Sequence, residues 1–541
     1  NMKQLHGNLI TTIFGCCMVL AMMSCGQNSA NTQSGSNTGK KGNEPKVLSI
    51  VTAKELDNLT TLTMNKENNI ACGFVYETLV GYENGKIIPR LASEWGWDDT
   101  NTVLTFKLRK GVAFTDGTPF NAKSVKAILE FDNSNPNFSG IKGICNIKSV
   151  EAIDEYTIAV HYASPCFSYI NDFCFQNVAA MMSPNVFEAG NFQTFKAVVG
   201  TGPYIHKEMI SGDCTRFIRN EHYWGKAPYY DEIVVKYIPE ASSRLQALQT
   251  GEVDLIYGAD LLSYDDYNQA LSLTGIKGAI NTGNTLTRNL VLNASGSILS
   301  DIKIRQAIAS AINRKEITTG LTYGHETPAV TLFAPGAPYT DISYNNTWNY
   351  DVDKANTLLD EAGWIMNTGT GIREKNGKKL TLQYTYWTDI SLAQNIALAI
   401  KTQLAKIGID IATIGQDQMT WWTEGVAGHY DITTWNTEGS YTEPHKFLQE
   451  SLGADPHAVS LKALKDFQRY ANAVNMFSTS ADPKIVQEAI ATALNISNDN
   501  VIDFPISYAK DLVVYNSSKI ASYTFSSVPQ FFDVNNVKPV E

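Results

Sequence analysis

The chain has 541 residues, too many for one compact core, so two or more lobes are expected. With 43% hydrophobic and 18% charged residues it is globular in composition. A net charge of -11 and a pI near 5.3 exclude a nucleic-acid-binding or anionic-membrane surface, and Lys40-Lys41 and Lys378-Lys379 are only pairs.

Residues 1–25 read as a leader. Lys3 is basic and Leu9 to Met23 is apolar, too short and wrongly flanked for a transmembrane helix. The run ends in Ala21-Met22-Met23-Ser24-Cys25 before Gly26, which looks like a bacterial lipobox and makes Cys25 the expected lipid-attachment residue. An ordinary signal peptide with a chance Cys is the alternative. Residues 26–45 are Gly, Ser, Asn, Thr and Lys, a composition that buries too little surface to offset ordering entropy; they are read as a flexible tether. Past the leader and Cys25, five Cys remain: Cys72, Cys145, Cys166, Cys174 and Cys214. An odd count leaves at least one free thiol or an intermolecular bond. Spacing leaves a Cys166–Cys174 bridge open, with free buried thiols the plainer reading.

Val47–Ala53 is an expected strand, and Gly73–Val80 an expected helix leading into a hairpin around Gly85. Leu104, Phe106 and Leu108 alternate with Thr105, Lys107 and Arg109, a half-buried strand. Thr115-Asp116-Gly117-Thr118-Pro119 carries turn chemistry, and Asn121 is placed to cap a helix from Ala122. Ser149–His161 looks like a hairpin strand. Gly200-Thr201-Gly202-Pro203 lacks the Lys-Ser/Thr of a phosphate loop and reads as a tight turn into a strand. Ser243–Ile256 predicts a helix stopped by Gly251 and then a strand; Asp301–Ile317 predicts one amphipathic helix. Helices over Tyr350–Trp364 and Ile396–Ile409 and a strand over Tyr430–Trp435 follow. Strands alternating with helices give an α/β class.

Several of these blocks also carry a family resemblance. The order LTFKLRKGVAFTDGTPFNAKSV over Leu104–Val125, the Arg219-Asn220, Tyr223-Trp224-Gly225 and Pro228 block, and the helix with Arg305, Ala307 and Arg314 closely resemble the family 5 extracellular solute-binding proteins of peptide and nickel ABC importers. The resemblance runs from about Lys46 to Pro539. It implies a two-lobe clamshell of the type II periplasmic-binding-protein class: residues 46–288 in lobe I, with a subdomain about 86–204, residues 289–512 in lobe II, and 513–541 returning to lobe I. It also implies an extracytoplasmic, lipid-anchored, monomeric receptor that delivers cargo to an ABC permease and its ATPase, and no enzyme.

Thr331–Tyr339, Gly371–Gly377 with Leu380, and Glu443–Leu448 resemble the nickel-binding members more than the oligopeptide binders. The second has a plain hairpin tip as its alternative reading. The seven His outside the leader (His161, His206, His222, His325, His429, His445 and His457) contain no HExxH or tight HxH pair, so no all-protein metal cage is supported. The resemblance implies instead cargo metal, nickel(II) or a related ion, wrapped in a small chelator such as free histidine, with no intrinsic cofactor. It makes His457 the candidate protein ligand. His445 and His222 are read as packing residues. At the regions where nickel binders hold carboxylates with Arg, this chain has Asn137 and Asn177 with no Arg nearby. Trp387, Trp422, Trp435 and Tyr441 are candidate cleft aromatics; of Trp421 and Trp422, adjacent on a helix, at most one is expected to line the cleft. Arg288 is placed either to reach a ligand carboxylate or to form a structural ion pair. A short peptide is the alternative cargo. An extracytoplasmic hydrolase lacks support without GxSxG or a metalloprotease motif, and an adhesion lipoprotein on the same fold stays open.

Overall fold

The computed structural model describes residues 44–541 apart from 64–67, 284–285, 438, 440–443, 527 and 529–530. Cys25 and Tyr441 therefore lie outside the described residues. Pro45–Glu541 forms one compact unit.

Two large sheets frame the unit, and several of their strands, buried on both faces, do not alternate. The first has seven strands in the order Ile276–Ile280, Leu512–Asn516, Leu255–Tyr257, Val47–Thr52, Glu232–Tyr237, Cys214–Arg219, Tyr204–Ile210. The second has six: Thr327–Pro328, Asp503–Tyr508, Thr287–Leu292, Ile432–Asn436, Thr381–Trp387, Asp410–Gln416. Thr287–Leu292 is buried along its whole length, and its two faces feed different cores. Leu290 and Leu292 pack with Ile304, Ile308 and Ile400, whereas Val291 packs with Phe447, Tyr470 and Ile490. An antiparallel four-stranded sheet, Ala92–Trp97, Val103–Leu108, Thr157–Tyr162 and Ile147–Asp154, shares a continuous core with the seven-stranded one.

The chain leaves the first sheet after Ile280, enters the second at Thr287, leaves it at Tyr508 and returns at Leu512. The two crossings run side by side. Asn281 N–H donates to Asp511 O (2.9 Å), Ala509 N–H to Leu286 O (2.8 Å), and the Lys510 ammonium to Thr282 O and Gly283 O (3.1 and 3.0 Å).

Local expectations mostly hold. Asn121 caps Ala122–Asn133 by accepting from Lys123 and Ser124 N–H, and Gly251 ends Ala241–Thr250. Gly200 abuts the first helix so closely that a Cβ would fall 1.9 Å from Val75 O: a close-packed turn, as read, and no phosphate loop. Two helices differ. The first spans Asn69–Val75; Tyr76 is already extended, and the hairpin Val80–Glu83/Lys86–Pro89 begins at Val80. The helix expected over Asp301–Ile317 is two, Ile302–Ala311 and Arg314–Thr322, because Ile312 is extended and the Asn313 side chain caps the second by accepting from Glu316 N–H. All five cysteines named above are free thiols, so Cys166 and Cys174 are not bridged. Arg373, in the GIREKNG hairpin, is buried and donates to Ile407 O and Trp364 O, which gives that motif a structural role. Among the described residues no helix is long and apolar enough to cross a membrane.

Candidate functional site

A cavity of about 1490 Å³ lies between the two large sheets and is lined from both. Its rims touch. Lys54 pairs with Asp389 (3.1 Å), while Gln449 Nε2 donates to Ser168 Oγ and that hydroxyl to Ser478 O (both 3.4 Å).

On the six-stranded side the wall is aromatic. Trp387 ends one strand, Trp435 lies on the adjacent strand Ile432–Asn436, and Trp421 and Trp422 come from the helix Gln418–Val426. Trp421 is clamped between Trp387 (ring centroids 6.0 Å apart, planes 28°) and Trp435 (5.2 Å, 30°), and its Nε1–H donates to Thr433 Oγ (2.9 Å). Trp422 stands beside Trp435 at 6.3 Å and is 44% exposed. Both members of the pair line the cavity, contrary to the expectation of at most one. The helix sits at the cavity edge, and a side chain as wide as Trp reaches the space from its buried and its open flank. Offset stacking of this kind stabilises the wall by about 0.5–1.5 kcal/mol per pair beyond burial.

His457 lies behind that wall. It is the second residue of the helix Pro456–Lys462, is 1% exposed, and packs against Phe447 (4.7 Å) and Trp435 (6.1 Å). Its ring nitrogens face two buried carboxylates, Nε2 3.2 Å from Asp503 Oδ2 and Nδ1 3.7 Å from Asp455 Oδ1. Burial raises the pKa of both acids, with His457 as the counteracting charge. Asp455 and Trp435, not His457, form the cavity surface here. Among the described residues no group of three or more His, Cys, Asp or Glu is arranged to hold a metal ion. His445 is half-buried, edge-on to Phe477 and Tyr339, and His222 is exposed.

Arg288 borders the cavity, but its guanidinium is committed. Nε reaches both oxygens of Glu326 (3.1 Å each), Nη2 reaches Oε1 (3.0 Å), and Nη1 donates to Ser391 O (2.9 Å). Asn137 and Asn177 line the opposite wall, where Asn137 Nδ2 donates to Leu62 O and Phe192 O and Asn177 to Asn69 Oδ1. The same wall holds Arg90, which sequence reasoning passed over. Nothing local marks it; it follows Pro89 at the end of a hairpin and reaches the cavity only through the fold.

The profile of the bacterial extracellular solute-binding proteins, family 5 Middle, matches residues 86–457. The chain belongs to this family. Its members are binding proteins of ABC importers that work outside the cytoplasm, and not enzymes. The chain is 27% identical over 482 residues to the nickel-binding periplasmic protein of Escherichia coli (strain K12), covering 87% of this chain and 90% of that one. It is 30% identical over 373 residues to the glutathione-binding protein GsiB of the same organism, covering 66% and 68%. NikA from Brucella suis, solved in complex with Fe(III)-EDTA, superposes with a TM-score of 0.86 at 26% identity, covering 91% of this chain and all of that one. The mixed α/β fold is thus the type II solute-binding fold that the resemblance implied.

Proposed function

We propose that this protein captures a transition-metal chelate, with nickel(II) held by free histidine or a similar small organic ligand as the leading case, and delivers it to an ABC permease. The end-to-end similarity to a nickel-binding protein carries this reading, and the solved Fe(III)-EDTA complex of a relative supports it. On this reading residues 46–288 and 513–541 form one lobe and 289–512 the other, and Cys25 bears the lipid that holds the tethered receptor at the membrane. The cargo, bridging both walls, stabilises the closed state over the open one. The Trp387, Trp422 and Trp435 rings pack on the organic part of the chelate, with Tyr441 as a further candidate contact. His457 becomes a metal ligand when its helix start turns the ring into the cavity, which would break its approach to Asp503. A peptide is the second reading. It is favoured by the cavity volume of about 1490 Å³, which exceeds the roughly 300–1,000 Å³ common for small-molecule sites.

Thermal unfolding of the full chain tests this with nickel alone, nickel plus L-histidine, and a mixed peptide pool. Ligand at about 100 times its dissociation constant adds about 2.7 kcal/mol, a visible rise in midpoint. The expected result is a shift with nickel plus histidine and none with peptides; a shift with peptides alone would establish an oligopeptide receptor. His457→Ala, compared with its own unliganded midpoint, then separates two modes of capture. Loss of the shift makes the imidazole the protein-side ligand, and a retained shift leaves coordination to the chelator.

A further inference from the structure

Among the described residues, six of the seven cations lining the cavity are committed within the protein. Lys54 pairs with Asp389 and Lys446 with Glu450 (3.1 and 3.0 Å). Lys142 donates to Ser139 O and Lys510 to the carbonyls of Thr282 and Gly283. Arg244 donates to Ile238 O, Pro239 O and Leu261 O, and Arg288 is bound by Glu326 and Ser391. Arg90 is the seventh. Among the described residues its guanidinium has neither a hydrogen bond nor an ion pair, and the residue is exposed on the cavity wall.

The surroundings aim that group rather than neutralise it. The main chain at Arg90 is pinned: its N–H donates to Leu79 O (3.3 Å), and its carbonyl accepts from Arg109 Nε. Arg109 is itself held over the Trp224 ring at 5.0 Å. Glu77, whose charge Arg90 does feel, is occupied by Trp224 Nε1–H (2.7 Å), Tyr223 OH and Thr201 Oγ–H (2.8 Å each) and forms no ion pair with it. The Arg90 stem lies across Gly81 on the partner strand. A Cβ there would fall 2.7 Å from Nε and 3.1 Å from Cγ, so the missing side chain is what admits this course. An unpaired guanidinium is a planar fork that matches a carboxylate with two parallel hydrogen bonds.

We propose that Arg90 anchors the cargo through a carboxylate, with Gly81 as the residue that positions it. This rests on solute capture in the cavity, and the carboxylate belongs either to a metal chelator or to a peptide C-terminus. Isothermal titration of the full chain with four probes tests it: nickel(II) with L-histidine, nickel(II) with L-histidinamide, trialanine, and trialanine amide. Wild type is expected to bind one carboxylate-bearing probe more tightly than its amide, which identifies the source. Arg90→Gln should weaken that probe about ten- to a hundredfold, the range of a charge-assisted hydrogen bond, and leave the amide within about twofold of wild type. Gly81→Ala, which displaces the stem, should reproduce the loss, and Arg90→Lys should restore part of it. Equal binding of acid and amide by wild type, or an Arg90→Gln protein that keeps wild-type affinity for the acid, would overturn the assignment while leaving solute capture standing. Wild type binding none of the four would overturn both.

Discussion

His445 opens the helix His445–Glu450 half-buried, with Nδ1 shielded from solvent and without a hydrogen-bond partner among the described residues. Burial disfavours the imidazolium and pulls the pKa from 6.5 down to about 4. As pH falls the unfolded chain takes up the proton first, so the stability linked to this residue is full above about 6.5 and is lost as pH drops towards about 4. Between pH 7 and pH 5 the expected loss is about 2 kcal/mol. Urea unfolding at the two pH values checks it: His445→Phe, which keeps an aromatic ring against Phe477 without a titrating group, should lose less over that interval by this amount.

Among the elements, the helix Ala122–Asn133 shows most directly how a short pattern becomes structure. Asn121 accepts from Lys123 and Ser124 N–H (3.1 Å each), the half of the cap legible from the residue type, while Ser124 Oγ accepts from Asn121 N–H (3.0 Å), the half only the structure shows. Asn121→Ala should cost about 1 kcal/mol, read as a lower urea midpoint with unchanged slope. The break at Ile312 was legible by the same rule, since Asn313 with Glu316 three residues on is an N-terminal signature. The apolar stripe Ile304, Ala307, Ile308, Ala311 and Ile312 runs right up to that cap and hides the break from a reading of periodicity. Periodicity reports which face is buried, not where the backbone turns.

For the whole molecule, the region of the two crossings is organised by one buried acid. Glu326 is 1% exposed and receives Arg288, Ser507 Oγ (2.6 Å) and Tyr264 OH (3.0 Å). Tyr264 belongs to a helix packed on the seven-stranded sheet, whereas Arg288 and Ser507 sit on the six-stranded sheet next to the crossing segments. Glu326→Gln removes the charge while keeping the shape and leaves Arg288 buried without a counterion. The expected cost is about 3–5 kcal/mol, measured by chemical denaturation. Arg288→Gln made together with Glu326→Gln should recover part of it, since neither buried charge then remains.

The sequence by itself determined the α/β class, the capped helix after Leu104–Leu108, the closely packed turn at Gly200 and the family, because each depends on residues within a turn or two of one another or on ordered blocks along the chain. The make-up of the cavity wall was decided only by the tertiary structure. Arg288 looked able to reach a ligand and is bound to Glu326; His457 is set behind Trp435, against Asp503; Arg90, with no local mark, stands on the wall with its charge unpaired among the described residues. Whether a charge is available to cargo depends on which distant groups burial brings against it, and no spacing along the chain encodes that.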